Sequence, residues 1–143
     1  MQKKIIFLMA LIVCLAAAFA GCTGSSASAA PGTTANPEDN LRTSPTDAVP
    51  SQNQVTVTVG EKDYAGKIPV TFDGGMGQVH VKKIEVMVYC ADGQVRTATI
   101  GANKGDSQDI QGTKQADRVV VYVTFDNGTR LKTNDVMSPY RTR

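Results

Sequence analysis

The chain has 143 residues, with 15 Lys and Arg against 13 Asp and Glu, one His, three Cys and no Trp, which leaves room for one small domain. Two of the basic residues, Lys3 and Lys4, fall in a segment read below as cleaved, so the rest of the chain carries no net side-chain charge. That balance argues against nucleic acid as a partner: gathering a polyanion needs a clustered basic field, and only Lys82-Lys83 and the Arg141/Arg143 tail hint at one.

Residues 1–22 run from a basic start (Lys3, Lys4) through an apolar stretch, Ile5 to Ala18, into Phe19-Ala20-Gly21-Cys22. About 14 apolar residues are too few to cross a ~30 Å hydrocarbon core comfortably as a permanent helix. A basic start, a short apolar stretch and small residues together make an export signal. The segment resembles the lipobox of prokaryotic lipoproteins, with Phe19 at the position usually held by Leu. It implies a lipoprotein signal peptide over 1–21 and lipidation of Cys22, whose thiol accepts the lipid and anchors the chain to the extracytoplasmic face of the cell membrane. Two other readings stay open. Ala18-Phe19-Ala20 fits the A-x-A pattern of ordinary secretory cleavage, and an uncleaved anchor would use the whole apolar stretch.

Cysteine use follows from that reading. Cys14 leaves with the signal and Cys22 carries lipid, so Cys90 is alone in the folded region and no intradomain disulfide can form. Small exported domains often rely on such staples; this one must rely on its core. Cys90 itself is either a small apolar residue at a strand end or a free thiol for intermolecular pairing.

Residues 22–53 are rich in Ser, Thr, Ala, Gly and Pro (Pro31, Pro37, Pro45, Pro50), with Leu41 and Val49 almost the only larger apolar side chains. Such a stretch cannot bury enough surface to offset its ordering entropy and reads as a disordered tether. As a flexible coil it would average roughly 30 Å end to end and reach up to ~100 Å when extended.

From Gln54 the pattern alternates with period two. Val55, Val57 and Val59 share one face and Thr56 and Thr58 the other. Ile68, Val70 and Phe72 alternate next. In Val79 to Tyr89, Ile84, Val86 and Val88 share a face, but Val79 and Val81 have the opposite parity, which predicts a bulge near Lys82-Lys83 or a change of sheet. Gln94 to Ile100 is a weaker strand and Asp106 to Gln111 a short edge strand. Arg118 to Phe125 is the strongest core element, with Val119, Val121, Val123 and Phe125 inward, and Thr129 to Met137 closes the set. Asp73-Gly74, Asp92-Gly93, Lys104-Gly105 and Asn127-Gly128 supply turns. With no helical period after residue 22, residues 54–140 are expected to form an all-β domain, a small antiparallel immunoglobulin-like β-sandwich of about seven strands.

Candidate chemistry is sparse. His80 is the only histidine; it is expected on a solvent face, and a Cys90–His80 pair lacks an orienting third group. The aspartates gather at turns, and Asp106-Ser107-Gln108-Asp109 is the nearest approach to a calcium loop without matching its spacing. Gly74-Gly75-Met76-Gly77 lacks the Lys-Ser/Thr of a phosphate loop. Asn127-Gly128-Thr129 is a glycosylation sequon set on a turn, so Asn127 is a glycan acceptor candidate. Neither a catalytic residue, a metal site nor a cofactor is expected, and the chain does not read as an enzyme.

Ile68-Pro-Val-Thr-Phe-Asp-Gly-Gly, Lys83-Ile-Glu-Val-Met-Val, Ala91-Asp-Gly and Asp117-Arg-Val-Val-Val-Tyr-Val-Thr-Phe-Asp-Asn-Gly-Thr together resemble the extracellular β domain of archaeal type IV pilin-like proteins, over roughly residues 54–137. The resemblance implies a surface-exposed β domain associated with filaments or adhesion. Pilin precursors, however, keep their apolar segment as a polymerising helix, whereas here the cut falls after it. The expectation is therefore a lipid-anchored cell-surface protein that displays a β-sandwich for binding, adhesion or envelope structure, with an envelope protein, surface protein or glycan as partner. The alternative is an extracytoplasmic solute- or ion-binding accessory subunit of a membrane complex.

Overall fold

Alternating valines and turn glycines divide the chain into two antiparallel sheets. The computed structural model describes residues 37–141, so the signal segment, Cys22 and the tether up to residue 36 lie outside the described residues. The strands are β1 (Thr56–Val59), β2 (Lys67–Gly74), β3 (Val81–Tyr89), β4 (Val95–Ile100), β5 (Ser107–Gln111), β6 (Asp117–Phe125) and β7 (Arg130–Ser138). One sheet has the order β1-β2-β5 and the other β4-β3-β6-β7. The hairpins β1–β2, β3–β4 and β6–β7 each stay within a sheet, and the other connections cross between sheets. This is the order of an immunoglobulin-like sandwich with the fourth strand on the edge beside the third.

The core is what the parity predicts. Ile68, Val70 and Phe72 of β2 face Ile84, Val86 and Val88 of β3 and Val119, Val121, Val123 and Phe125 of β6, all fully buried. Each such side chain contributes about 1.5–3 kcal/mol by leaving water, and no disulfide supplements them among the described residues. Gly74, Gly93, Gly105 and Gly128 all adopt positive φ, between 81° and 93°, as their predicted turns require. The bulge expected near Lys82-Lys83 is present as a register slip between Val81 and Lys83. Val79 does not belong to the strand. It sits in a 3₁₀ turn, Gln78–His80, and is 84% exposed. A second slip lies between Val121 and Tyr122, where Thr133 of β7 has no partner across the ladder. The Thr133 hydroxyl is the buried side-chain group left without a hydrogen bond among the described residues.

Residues 37–53, read from composition as part of the tether, lie against the β4-β3-β6-β7 sheet. After a single helical turn, α1 (Pro37–Asn40), the Asn40 carbonyl accepts from Arg118 at 3.2 Å. The Ser44 N–H and hydroxyl both donate to Asp135 at 3.0 Å. Asp47 and Lys132 exchange bonds, backbone N–H to carbonyl at 2.9 Å and Lys132 N–H to the Asp47 carboxylate at 2.7 Å. Further on, the Gln54 carbonyl accepts from Gly77 at 3.0 Å. The segment thus forms a strap that travels the length of the sandwich.

Asp135 fastens this strap. Its side chain is fully buried and also accepts from Arg118 at 2.6 and 2.7 Å and from Lys132 at 3.3 Å. Burial pushes the Asp135 carboxyl up, but the Arg118 and Ser44 bonds outweigh it and hold it well below the usual carboxylate range. Val120, opposite Asp135 in the ladder, has outward parity yet is only 1% exposed, which places a covering layer on that face. Asp135→Ala is expected to release residues 40–47, seen as faster amide exchange there, and to cost about 1–3 kcal/mol. Because the folded-state pKa is lowered, this contribution is complete above about pH 4–5 and is lost as pH falls further; strap exchange independent of Asp135 would refute the assignment.

Candidate functional site

The β1–β2, β3–β4 and β5–β6 connections meet at one end of the sandwich, and a buried ion pair joins them. Lys62 follows β1 and Asp117 opens β6; their side chains are both fully buried, with Nζ 2.7 Å from Oδ2. Lys62 also donates to the Gln115 carbonyl at 2.7 Å. Asp117 takes further bonds from the Thr113 N–H and hydroxyl, each at 2.6 Å, and from the Ala91 N–H at 2.9 Å. Gly112 lies so close that a Cβ there would stand 2.5 Å from Asp117 Oδ2. Burial raises the Asp117 carboxyl, yet the Lys62, Thr113 and Ala91 bonds overcome it and keep the group ionised. A carboxylate so saturated with donors is a poor base and a poor nucleophile, so this cluster is a clamp.

Beside the clamp, an open groove of about 330 Å³ runs between the β1–β2 connection and the end of β7. Val59, Lys62, Asn134, Val136, Met137 and Arg141 are among its walls. Val136 and Met137 are partly exposed there, and Arg141 pairs with Glu61 at 2.9 Å across its mouth. Its volume is at the lower limit of small-molecule sites.

The opposite end carries the β2–β3 connection, the β4–β5 connection and the β6–β7 turn. Met76 and Val79 are exposed there, 72% and 84%. His80 Nδ1 lies 2.9 Å from Asp126 Oδ2, and the Asp126 N–H donates to the His80 carbonyl at 2.8 Å. The His80 contact lowers the Asp126 carboxyl. Both side chains are about half exposed or more, so the pair is a surface contact that ties the connection to the turn. Asn127 is exposed in the same turn, and its Oδ1 accepts from the Thr129 N–H at 2.9 Å.

The remaining sequence candidates separate. His80 precedes β3 and Cys90 follows it, so a nine-residue strand keeps them apart and no nucleophile pair forms. Cys90 is buried, and burial followed by the Asp117 charge pushes its thiol up, which suits an unreactive core residue. Asp106 turns back to accept from the Asn103 N–H at 3.0 Å, whereas Asp109 is exposed on β5 opposite Pro69, so the two do not form a calcium loop. No three His, Cys, Asp or Glu converge as a metal would require among the described residues. Gly74 to Gly77 is a turn packed near Asn53 and Gln54. The clamp residues Lys62 and Asp117 escaped the sequence reading. Asp117's one local signal is its place two residues before the apolar run that starts at Val119, and Lys62 has none.

Comparison with protein-family models, with curated proteins and with solved structures found no match.

The clamp makes an asymmetric prediction. Asp117→Ala removes the counter-charge of the buried Lys62 ammonium, which keeps only the Gln115 carbonyl, and leaves two backbone N–H groups without their acceptor; it is expected to cost about 3–5 kcal/mol in denaturant unfolding. Lys62→Met should cost less, because the carboxylate keeps its Thr113 and Ala91 donors. With the Asp117 pKa lowered by folding, the wild-type contribution holds above about pH 4–5 and disappears on acidification. Equal losses for the two variants would contradict this account.

Proposed function

We propose that this is a lipid-anchored cell-surface protein that presents its β-sandwich for binding, adhesion or envelope structure. The observation that carries the reading is the order of features in the sequence: basic start, apolar run, Gly21-Cys22, then a stretch rich in Ser, Thr, Pro and Ala before the domain. The fold suits that role. Among the described residues the strap makes its first contact with the sandwich at Arg118, near the clamped end, and Met76, Val79 and Asn127 are exposed at the opposite end. The resemblance of residues 54–137 to archaeal pilin-like extracellular domains supports a surface role without the polymerising helix. Asn127, exposed on its turn, is the proposed glycan acceptor.

The groove favours a second reading, a solute- or ion-binding accessory subunit of a membrane complex. Its lining mixes a cation, an amide and apolar surface, as a small polar solute would need.

Mass spectrometry of the processed chain tests the anchor and the glycan together. A mature N-terminus at Cys22 with a lipid-sized addition is expected, along with release from membranes in Cys22→Ala. A glycan mass that disappears in Asn127→Gln is expected as well. An N-terminus elsewhere with an unmodified Cys22 would overturn lipid anchoring.

A further inference from the structure

The groove beside the clamp follows from a difference in strand length. β1 ends at Val59, whereas β7 of the facing sheet runs on to Ser138. In the ladder with β6, Asn134, Val136 and Ser138 stand opposite Val121, Val119 and Asp117, whose side chains are fully buried. Paired residues share a face, so all three belong to the inner side of β7. Asn134 reaches across to β1, where its amide nitrogen donates to the Val57 carbonyl at 2.9 Å. Past Val59 the inner side of β7 continues without β1 beside it, and the gap is the open groove of about 330 Å³.

The charges on the lining are matched within the fold. Lys62 Nζ lies 2.7 Å from Asp117 Oδ2 and 2.7 Å from the Gln115 carbonyl. Arg141 Nη1 lies 2.9 Å from Glu61 Oε1. Two neutral polar groups are not matched. Asn134 commits its amide nitrogen to Val57, and among the described residues no donor reaches its Oδ1. Ser138 is only 4% exposed, yet among the described residues its hydroxyl bonds to no other group. The Thr133 hydroxyl is equally without a partner but is sealed from solvent; the Ser138 hydroxyl is not sealed, and the groove that it lines is its opening. Polar side-chain groups in folded interiors are ordinarily bonded. An unmatched one that opens onto a groove marks the place of a ligand atom.

We infer that the groove takes a single neutral sugar ring, either free or at the end of a glycan. The inference rests on the reading of the groove as a binding site and names what that site holds. A charged solute needs a counter-charge, and those on the lining already have partners. A purely apolar solute leaves Asn134 and Ser138 unmatched. A sugar ring offers what remains, hydroxyls around its rim and a C–H face. Along the inner side of β7 the order is polar, apolar, polar: Asn134, Val136, Ser138. The two polar residues are four apart on an extended strand, about 13 Å between Cα atoms. Hydroxyls at opposite ends of a six-membered ring, with one hydrogen bond at each end, fill such a gap. One hydroxyl donates to Asn134 Oδ1, which can only accept, and the other exchanges a bond with Ser138 Oγ, which can donate or accept. The C–H face then lies on Val136, which is 37% exposed between them.

Saturation-transfer NMR on the full chain in detergent tests this. The probes are D-glucose, D-galactose, D-mannose and N-acetylglucosamine, their methyl glycosides, and glycine, glutamate and inorganic phosphate as charged counterparts. Transfer to at least one sugar and to none of the charged probes is expected. Transfer to the methyl glycosides as well identifies the end of a glycan, and transfer to free sugars alone identifies a solute; both uphold the proposal. Ser138→Ala removes a hydroxyl that the fold does not use, so its thermal melt should match that of the wild type while sugar affinity falls about five-fold. Val136→Ala, which removes the platform under the ring, should weaken binding too, and Thr133→Val, outside the groove, should leave it unchanged. Binding of a charged probe without any sugar would overturn the proposal and leave the solute-binding reading standing. Binding of no probe would overturn both. A sugar affinity indifferent to Ser138→Ala and Val136→Ala would show that the ring sits elsewhere and overturn the assignment.

Discussion

The domain closes one end with a single buried carboxylate. Asp117 collects a lysine ammonium, a threonine hydroxyl and two backbone N–H groups drawn from three separate connections. A charge of this kind costs several kcal/mol to dehydrate and tolerates burial only when every lone pair is matched. That demand fixes geometry in a way that apolar contact does not. Valines accept many packings of similar energy, whereas Asp117 accepts the one in which Lys62, Ala91 and Thr113 all reach it. In a chain with one cysteine in its fold, this polar knot does the positioning that a disulfide does elsewhere.

Asp135 repeats the device on the outer face of the second sheet. Arg118, Lys132 and Ser44 surround it, and the strap is held there by side chains because its own sequence has little apolar surface to offer. The same face carries cation–π stacks, with Arg130 over Tyr122 at 3.8 Å and Arg118 over Tyr89 at 5.4 Å. Arg130 also pairs with Glu85, whose carboxyl is lowered chiefly by its bond to Lys83. Arginines therefore occupy the ring faces of both tyrosines, and the sheet surface is a laced polar layer. Of the two ends of the sandwich, the clamped one is rigidified by buried charge, and the other leaves Met76 and Val79 in solvent.

What the sequence discloses and what it hides divides by distance along the chain. Parity at Val119, Val121, Val123 and Phe125 is a local signal, and these residues are buried as it requires. The conflict of parity between Val81 and Ile84 marks the bulge, and Asn127-Gly128 marks a turn, because each depends on neighbouring residues alone. Val79 misleads for a related reason: the alternation continues by chance into a turn that the preceding glycines have already begun. The buried pairs have no such signature. Asp117 lies 55 positions from Lys62, and Asp135 lies 91 from Ser44. Composition reads Ser44 and Asp47 as solvated because nothing nearby needs them, and their partners on β7 come into place only when the sheet forms. The groove between the β1–β2 connection and β7 is hidden likewise, being a product of strand order and of no local motif.

The direction of the strap has a mechanical consequence. Among the described residues its first contact with the sandwich, at Asn40, is beside Arg118 near the start of β6, and it continues to Gly77 at the far end of the sandwich. A pull applied at Asn40 and directed away from the clamped end acts along the strap's own axis. The bonds at Ser44 and Asp47 then share the force in shear, all loaded together, instead of opening one after another as in a zipper. Bonds arranged this way yield at higher force than the same bonds peeled in sequence. A segment with few large apolar side chains would thus pass tension into the sheet without first uncovering the core.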